Sequence, residues 1–221
     1  MIVVGNLIVG GAGKTPTTIA VVQHLQQQGW RPGVISRGHG RHDGAAVMAV
    51  TAQSAASAAG DEPLLIHLRT RAPTWVGSDR LPAGRALLQT ASDVNILVCD
   101  DGLQHHRLHR DVQVIVFDDR GIGNGLLLPA GPLREPFVAK PPPRSAVLYN
   151  AAAPSTPWPG HLAQRGITRL LPLADWWAGH SPQEDRWLTL QQRPVTAAAG
   201  IASPQRFFDQ LRRLGLQQLH P

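Results

Sequence analysis

The sequence is short of several things, and each shortage removes a class of explanation. Cys99 is the only cysteine in 221 residues, so no disulfide framework is possible. Its place in an apolar run marks it as a small buried residue in a reducing compartment, which points to the cytoplasm. No run approaches the roughly 18 consecutive apolar residues of a membrane span, and no signal peptide opens the chain. Aromatic residues make up 5% of the sequence, and no basic run interleaves with them, so a base-stacking surface is not expected and nucleic acid is not a partner. Lysine is nearly missing. Lys14 and Lys140 are the only two among 21 lysines and arginines, and the charge balance of +6 is carried by arginine, which suits phosphate or carboxylate partners or a basic membrane-facing surface.

What is present describes a folded α/β protein. The 43% hydrophobic content is ordinary for a globular chain of this length, which allows one large or two small domains. Short β-rich runs recur at Ile2–Val4, Gly33–Ile35, Val47–Val50, Asn95–Cys99, Val112–Phe117 and Ala146–Tyr149. Helical periodicity lies between several of them, over Thr15–Gln28, Glu62–Thr70 and Asp79–Gln89. That alternation predicts a parallel sheet covered by helices. Runs that are apolar nearly throughout, such as Val112–Phe117, fit strands buried on both faces. A proline- and alanine-rich stretch between Lys140 and Pro159 places a domain boundary near Ala153, giving domains 1–153 and 154–221. In the second, smaller domain, Ser203–Pro204 reads as a cap and first residue of a helix with Phe207, Leu211 and Leu214 on one face. No internal repeat is found.

One of the two lysines stands in Gly10-Gly11-Ala12-Gly13-Lys14-Thr15-Pro16, directly after the first strand. Glycines let successive backbone N–H groups face an anion, a lysine reaches the outer phosphates, and a hydroxyl joins Mg²⁺. The following helix points its positive end at the same place. The pattern G-x-x-x-x-G-K-[ST] asks for glycine where Ile8 stands, so only its second half matches. An ordinary glycine turn is the competing reading.

Asp100-Asp101 closes the strand run at Cys99, at the carboxyl edge where parallel sheets bind ligands. A carboxylate there is placed to hold Mg²⁺ beside the phosphates, or else merely to cap a turn. Asp61-Glu62, at a loop-to-helix junction, reads as a helix cap, or, near a nucleotide, as a base or metal ligand. His105 and His109 have the i, i+4 spacing of a metal pair but lack further ligands, and a hydrogen-bonding role for His105 near the acidic pair is preferred. Gly121-Ile122-Gly123-Asn124-Gly125 reads as a turn. Arg37, Arg80, Arg120 and Arg134 lie beside such loops, where they could meet phosphate.

Taken together, Val4-Gly5-Asn6-Leu7 with Val9 to Pro16, Ser36-Arg37-Gly38, Gly60-Asp61-Glu62-Pro63, Asp100 to His105, Arg120 to Gly125 and Leu128 to Pro136 closely resemble the tetraacyldisaccharide 4'-kinase family, the lipid A 4'-kinases. Ala199-Gly200-Ile201 and the helix from Pro204 resemble that family's later strand and helix. The resemblance implies a P-loop fold and transfer of the ATP γ-phosphate, with Mg²⁺, to the 4'-hydroxyl of an acylated glucosamine disaccharide 1-phosphate. It also implies a peripheral enzyme, expected as a monomer, at the cytoplasmic face of the inner membrane.

Residue by residue, the resemblance makes Ile8, Val9, Gly10, Gly11, Ala12, Gly13, Lys14 and Thr15 the ATP loop and Asp61 the base. Thr15, Glu62, Asp100 and Asp101 serve the metal and triphosphate, Arg80 steadies phosphate charge, and His105 supports the site. Ile8 and Ala12 replace hydroxyl residues usual in the family. The family's apolar segment before the first strand and its histidine-containing stretch after the position of Pro221 have no counterpart here. Their lack predicts a second domain that is incomplete, attachment to the membrane through arginines or a soluble chain, and slow or absent turnover. A P-loop switch that hydrolyses ATP or GTP, and a nucleotide-binding remnant, are the alternatives.

Overall fold

The computed structural model describes residues 1–163, 166–167, 170–180, 186–201, 204–216 and 219–220. Two compact units divide the chain, Met1–Gln164 and Arg165–Pro221.

The first unit carries β1 (Ile2–Gly5), α1 (Lys14–Gln27), β2 (Pro32–Ser36), β3 (Met48–Val50), α2 (Ala56–Ala59), α3 (Asp61–Thr70), β4 (Thr74–Val76), α4 (Arg80–Thr90), β5 (Ile96–Asp100), β6 (Val112–Asp118), β7 (Ser145–Asn150) and β8 (His161–Leu162). The strands form one sheet in the order β3-β4-β2-β5-β1-β6-β7-β8. All pairings are parallel except β3 with β4, so the expected parallel sheet gains an antiparallel edge. Strand β4, absent from the sequence reading, is only three residues long and follows Pro73, too brief to show a period.

Alternation along the strands divides the core into two layers. Val3, Ile35, Cys99, Ile115, Phe117 and Tyr149 pack on one face with Ala83 and Leu87 of α4. Val4, Val34, Val98 and Val116 pack on the other with Val22 of α1 and Ile66 of α3. Side chains two apart share a face, so a central strand covered on both sides must be apolar at every position. Cys99 is fully buried, and that burial pushes its thiol up to about 12, which leaves it inert.

The chain reverses order at β1. Helix α1 leads to β2, which lies beyond β5, while the later strands build outward from β1 on the other side. The carboxyl ends of β1, β5 and β2 are therefore adjacent, with Val4 opposite Asp100 and Ile35 opposite Cys99. This is the crevice such sheets present to ligands.

The first unit continues past Ala153, the boundary expected from composition. Beyond the proline-rich stretch, Trp158 is buried and stacks on Phe137, with ring centroids 4.6 Å apart. The buried Tyr149 hydroxyl donates to Trp158 O at 2.6 Å and accepts from Thr156 Oγ1. β8 then pairs with β7. Composition reported a change of chain character, whereas these contacts hold the following residues to the sheet.

The second unit contains α5 (Leu173–Trp177), α6 (Arg186–Gln191), β9 (Val195–Thr196), α7 (Pro204–Arg213) and β10 (Leu219–His220), with β9 and β10 parallel. Ala197, Leu211 and Leu216 form its small core, against which Phe207 packs. The expected cap Ser203 lies outside the described residues. The expected strand at Ala199–Ile201 is instead irregular, and the strand falls at Val195–Thr196.

Tyr149→Phe tests the anchoring of the late segment. Loss of the hydroxyl leaves the buried Trp158 carbonyl without its donor and is expected to lower stability by about 1–2 kcal/mol in urea unfolding, with earlier proteolysis between Asn150 and His161.

Candidate functional site

The glycine loop joins β1 to α1 as the motif requires. Gly10 and Gly13 have φ of +93° and +102°, a region costly for residues with a Cβ. Gly13 caps α1, and Pro16 sits in the first turn, where its missing N–H costs nothing. Val9 N–H donates to Pro132 O (2.8 Å) and Ala12 N–H to Gly10 O (3.2 Å). The N–H groups of Gly10, Gly11, Gly13, Lys14 and Thr15 have no acceptor among the described residues. The loop thus offers a run of free donors at a helix N-terminus, an arrangement that binds anions.

The two departures at Ile8 and Ala12 have a packing account. Both are buried, and Ile8 bridges Leu133 on the segment that also engages Val9. The first half of the expected ATP loop is therefore a wall, and its second half holds the free donors. Sequence reading had no signal for the partner at Pro132–Arg134, because it is distant in the chain.

Lys14 is buried, and its Nζ donates to Gly10 O (3.3 Å) and stands 3.9 Å from Asp101 Oδ1. Asp101 itself has φ of +48° and is gripped by Arg134 Nη1 at 2.9 and 3.1 Å. Arg134 was read only as a possible phosphate contact; here it is the principal partner of Asp101. Arg80 is buried, and its Nη2 donates to Asp101 O (3.0 Å) while its Nε has no hydrogen-bond partner among the described residues. Arg120 is paired with Asp118 and leans over Gly10, its Nη1 donating to Val9 O at 3.4 Å.

Asp100 occupies the centre. It is 1% exposed and accepts from Thr18 Oγ1 (2.8 Å) and Ser36 Oγ (3.4 Å). Burial raises its pKa to about 6, against the hydrogen bond from Thr18; the nearby carboxylates of Glu62 and Asp101 raise it further and Lys14 opposes them. Asp61 and Glu62 open α3, after Gly60 at φ +89°, where a helix end favours acidic residues.

Among the described residues no side-chain hydrogen bond joins His105 to Asp100 or Asp101. His105 Nε2 lies 3.2 Å from Asp79 Oδ1, too poorly aligned for a hydrogen bond, and Asp79 caps α4 by accepting from Leu81 N–H. That backbone bond lowers the Asp79 pKa, assisted by His105. His109 meets Asp111 instead, and residues 101–110 form turns, so the i, i+4 spacing never becomes a helical metal pair. Among the described residues no group of three or more His, Cys, Asp or Glu could hold a metal ion by itself.

The buried carboxylate has a measurable signature. With a folded pKa of about 6 against 3.8 unfolded, Asp100 binds its proton more tightly in the folded state. Its stability contribution is complete below 3.8 and is lost as pH rises through 6. In EDTA, Asp100→Asn is expected to flatten this fall and to melt higher than the parent at pH 7.5, by up to roughly 2–3 kcal/mol. Calorimetry across pH 4–8 checks it.

Comparison with known proteins fits this geometry. The family model of tetraacyldisaccharide-1-P 4'-kinase matches residues 1–221. Proteins described as tetraacyldisaccharide 4'-kinase from Leptothrix cholodnii and Methylibium petroleiphilum are each 57% identical over 98% of this chain, the matches covering 62% and 60% of those proteins. The chain thus spans about three-fifths of the length of these curated relatives. A crystal structure of "apo" form LpxK from Aquifex aeolicus in complex with ATP shares the fold, with a TM-score of 0.76 at 24% identity over 100% of this chain and 69% of that one. The shared P-loop fold, the matched motifs and the two 57% identical relatives lead to one conclusion: this chain belongs to the tetraacyldisaccharide-1-P 4'-kinase family.

Proposed function

We propose that this chain transfers the γ-phosphate of ATP to the 4'-hydroxyl of an acylated glucosamine disaccharide 1-phosphate. The observation that carries the reading is the meeting of Lys14 and the free N–H groups of its loop with Asp100 and Asp101 at one sheet edge. Phosphoryl transfer asks a protein chiefly for positioning and charge stabilisation, and this edge supplies both. The "apo" LpxK structure from Aquifex aeolicus, in complex with ATP, favours ATP as the donor.

In this reading Gly10 to Thr15 bind the phosphates through backbone N–H groups. Lys14 exchanges its bond to Gly10 O for phosphate oxygens. Asp61, exposed at the start of α3, accepts the proton of the sugar hydroxyl. Arg80 offers its free Nε toward phosphate charge. His105 acts indirectly, from its place 3.2 Å from Asp79 at the start of α4.

Mg²⁺ suits the donor set, because it favours one or two carboxylates with phosphate oxygens and water over an all-protein cage. Thr15, Glu62, Asp100 and Asp101 would hold it, and it would neutralise charge on the triphosphate. Asp100 is ionised above about pH 6, as a cation ligand must be.

The acceptor's acyl chains bind it to a bilayer at about 0.8 kcal/mol per buried CH₂, so the enzyme works at a membrane surface, here the cytoplasmic face of the inner membrane. No helix of the described residues is long and apolar enough to cross a membrane. Leu126, Leu127 and Leu128 are about half exposed next to the wall of the phosphate loop, an apolar tip suited to peripheral contact.

Incubation with γ-labelled ATP, Mg²⁺ and the acylated disaccharide in detergent micelles tests the proposal. Label in lipid is expected; label only in free phosphate identifies a hydrolytic switch, and bound ATP without turnover a remnant. Asp61→Asn is expected to cut transfer by about 10²–10⁴ with ATP affinity kept, and transfer at the parent rate removes Asp61 as the base. Lys14→Ala is expected to weaken ATP binding by at least about tenfold, read by titration.

A further inference from the structure

The glycine loop is held from outside by side chains that have no role so far. Among the described residues every carbonyl from Val9 to Gly13 except that of Gly11 has a donor. Val9 O accepts from Arg120 Nη1 (3.4 Å), Gly10 O from Asn6 Nδ2 (3.4 Å) and Lys14 Nζ (3.3 Å), and Ala12 O from Asn150 Nδ2 (3.0 Å). Gly13 O accepts from Thr17 Oγ1 (2.9 Å). The free groups of the loop are thus its N–H donors and not its carbonyls. That partition decides what the loop can bind, because an anion is drawn to converging N–H groups and repelled by a carbonyl turned toward it. Glycines do not make the choice themselves, since their backbone angles are permissive.

Asn6, the residue after β1, is fully buried, and its Oδ1 has no hydrogen-bond partner among the described residues. A buried amide with an orphan oxygen is costly, and a leucine of the same branched shape would remove the cost. Stability therefore does not account for an asparagine at this position. What its amide does is reach Gly10 O, an acceptor it shares with Lys14. Once Lys14 exchanges that bond for phosphate oxygens, Asn6 is the side-chain donor left on Gly10 O. Its own carbonyl accepts from Gln104 Nε2 (3.2 Å), which ties the end of β1 to the turn after Asp100. Asn150 comes from the other flank. It closes β7, which β6 separates from β1 in the sheet.

We infer that Asn6 and Asn150 are positioning residues of the phosphate loop: their amides hold the carbonyls of Gly10 and Ala12 turned from the anion. The loop's N–H groups then face phosphate both before and after Lys14 moves to it. Neither asparagine touches the nucleotide in this account; each acts through the carbonyl it holds. The inference rests on the ATP-binding part of the reading above, and on neither the acceptor nor the transfer step.

The test titrates the purified chain with ATP by calorimetry, and with inorganic triphosphate in competition against ATP. Asn6→Leu is expected to melt at or above the parent temperature, because the orphan oxygen is gone, yet to weaken ATP binding about tenfold or more. Inorganic triphosphate is expected to lose the same factor, since the missing support lies behind the phosphates and not the base. A merely structural asparagine would instead lower stability and affinity together. Unchanged ATP affinity in an Asn6→Leu protein that melts at or above the parent temperature overturns the inference. Should that variant melt early, Asn150→Ala, at a half-buried position, decides. It is expected to weaken ATP and triphosphate alike, and undiminished affinity, or a loss confined to ATP, overturns the inference too. A parent protein that binds no ATP overturns the nucleotide reading and this inference together, whereas the Asn6 effect on ATP binding without label in lipid removes the kinase reading alone.

Discussion

The site depends on keeping the Asp100 carboxylate inside the protein at the end of a central strand. Burial of that group is unfavourable, and its raised pKa records the cost. What holds it is distributed. Thr18 reaches it from α1 and Ser36 from β2, so helix, neighbouring strand and acid are fixed to one another by two hydroxyls. Removing the Thr18 hydroxyl would loosen α1 from β5, and removing that of Ser36 would loosen β2 from β5. The interior thus carries a built-in destabilisation at the place where a cation and a triphosphate would relieve it, a common condition of sites organised for charged ligands.

Around that acid the positive groups are held by one another's partners. Arg134 fixes the Asp101 carboxylate, Arg80 the Asp101 carbonyl, and Lys14 lies 3.9 Å from the carboxylate at the end of the glycine loop. Asp101 is accordingly a junction of cations. Its left-handed backbone turns its carboxylate away from the sheet toward Arg134, while Asp100, one residue earlier, points inward. Two adjacent aspartates thus have separate environments because the chain reverses between them.

The strands and helices that were legible in the sequence are those with long regular patterns. The six apolar runs became strands within one or two residues, and α1, α3 and α4 lie where periodicity and glycine punctuation put them. The loop at Gly10–Thr15 and the acids Asp100 and Asp101 stood out as candidates because their signal is local, residue type and position after a strand, whereas Asp61 and Glu62 read alone as a helix cap and gained a role only through the family resemblance. What was not legible is pairwise and distant. Nothing near Val9 announces Pro132, nothing near Asp101 announces Arg134, and His105 turned to Asp79, a residue read simply as a helix start. The segment after Ala153 shows the same limit, since its proline content described flexibility of composition while Tyr149 and Trp158 tied it to the sheet.

The contact of residues 7–9 with residues 132–134 has a consequence for biosynthesis. Leu7 O accepts from Arg134 N–H, and Val9 N–H donates to Pro132 O. The wall that shapes the loop's glycines is synthesised more than a hundred residues after them. Closing so long an interval must wait until most of the sheet is assembled. The nascent chain therefore makes β1 to β6 before the wall of its anion cradle, and a growing polypeptide halted short of Pro132 would carry the motif's letters without its shape.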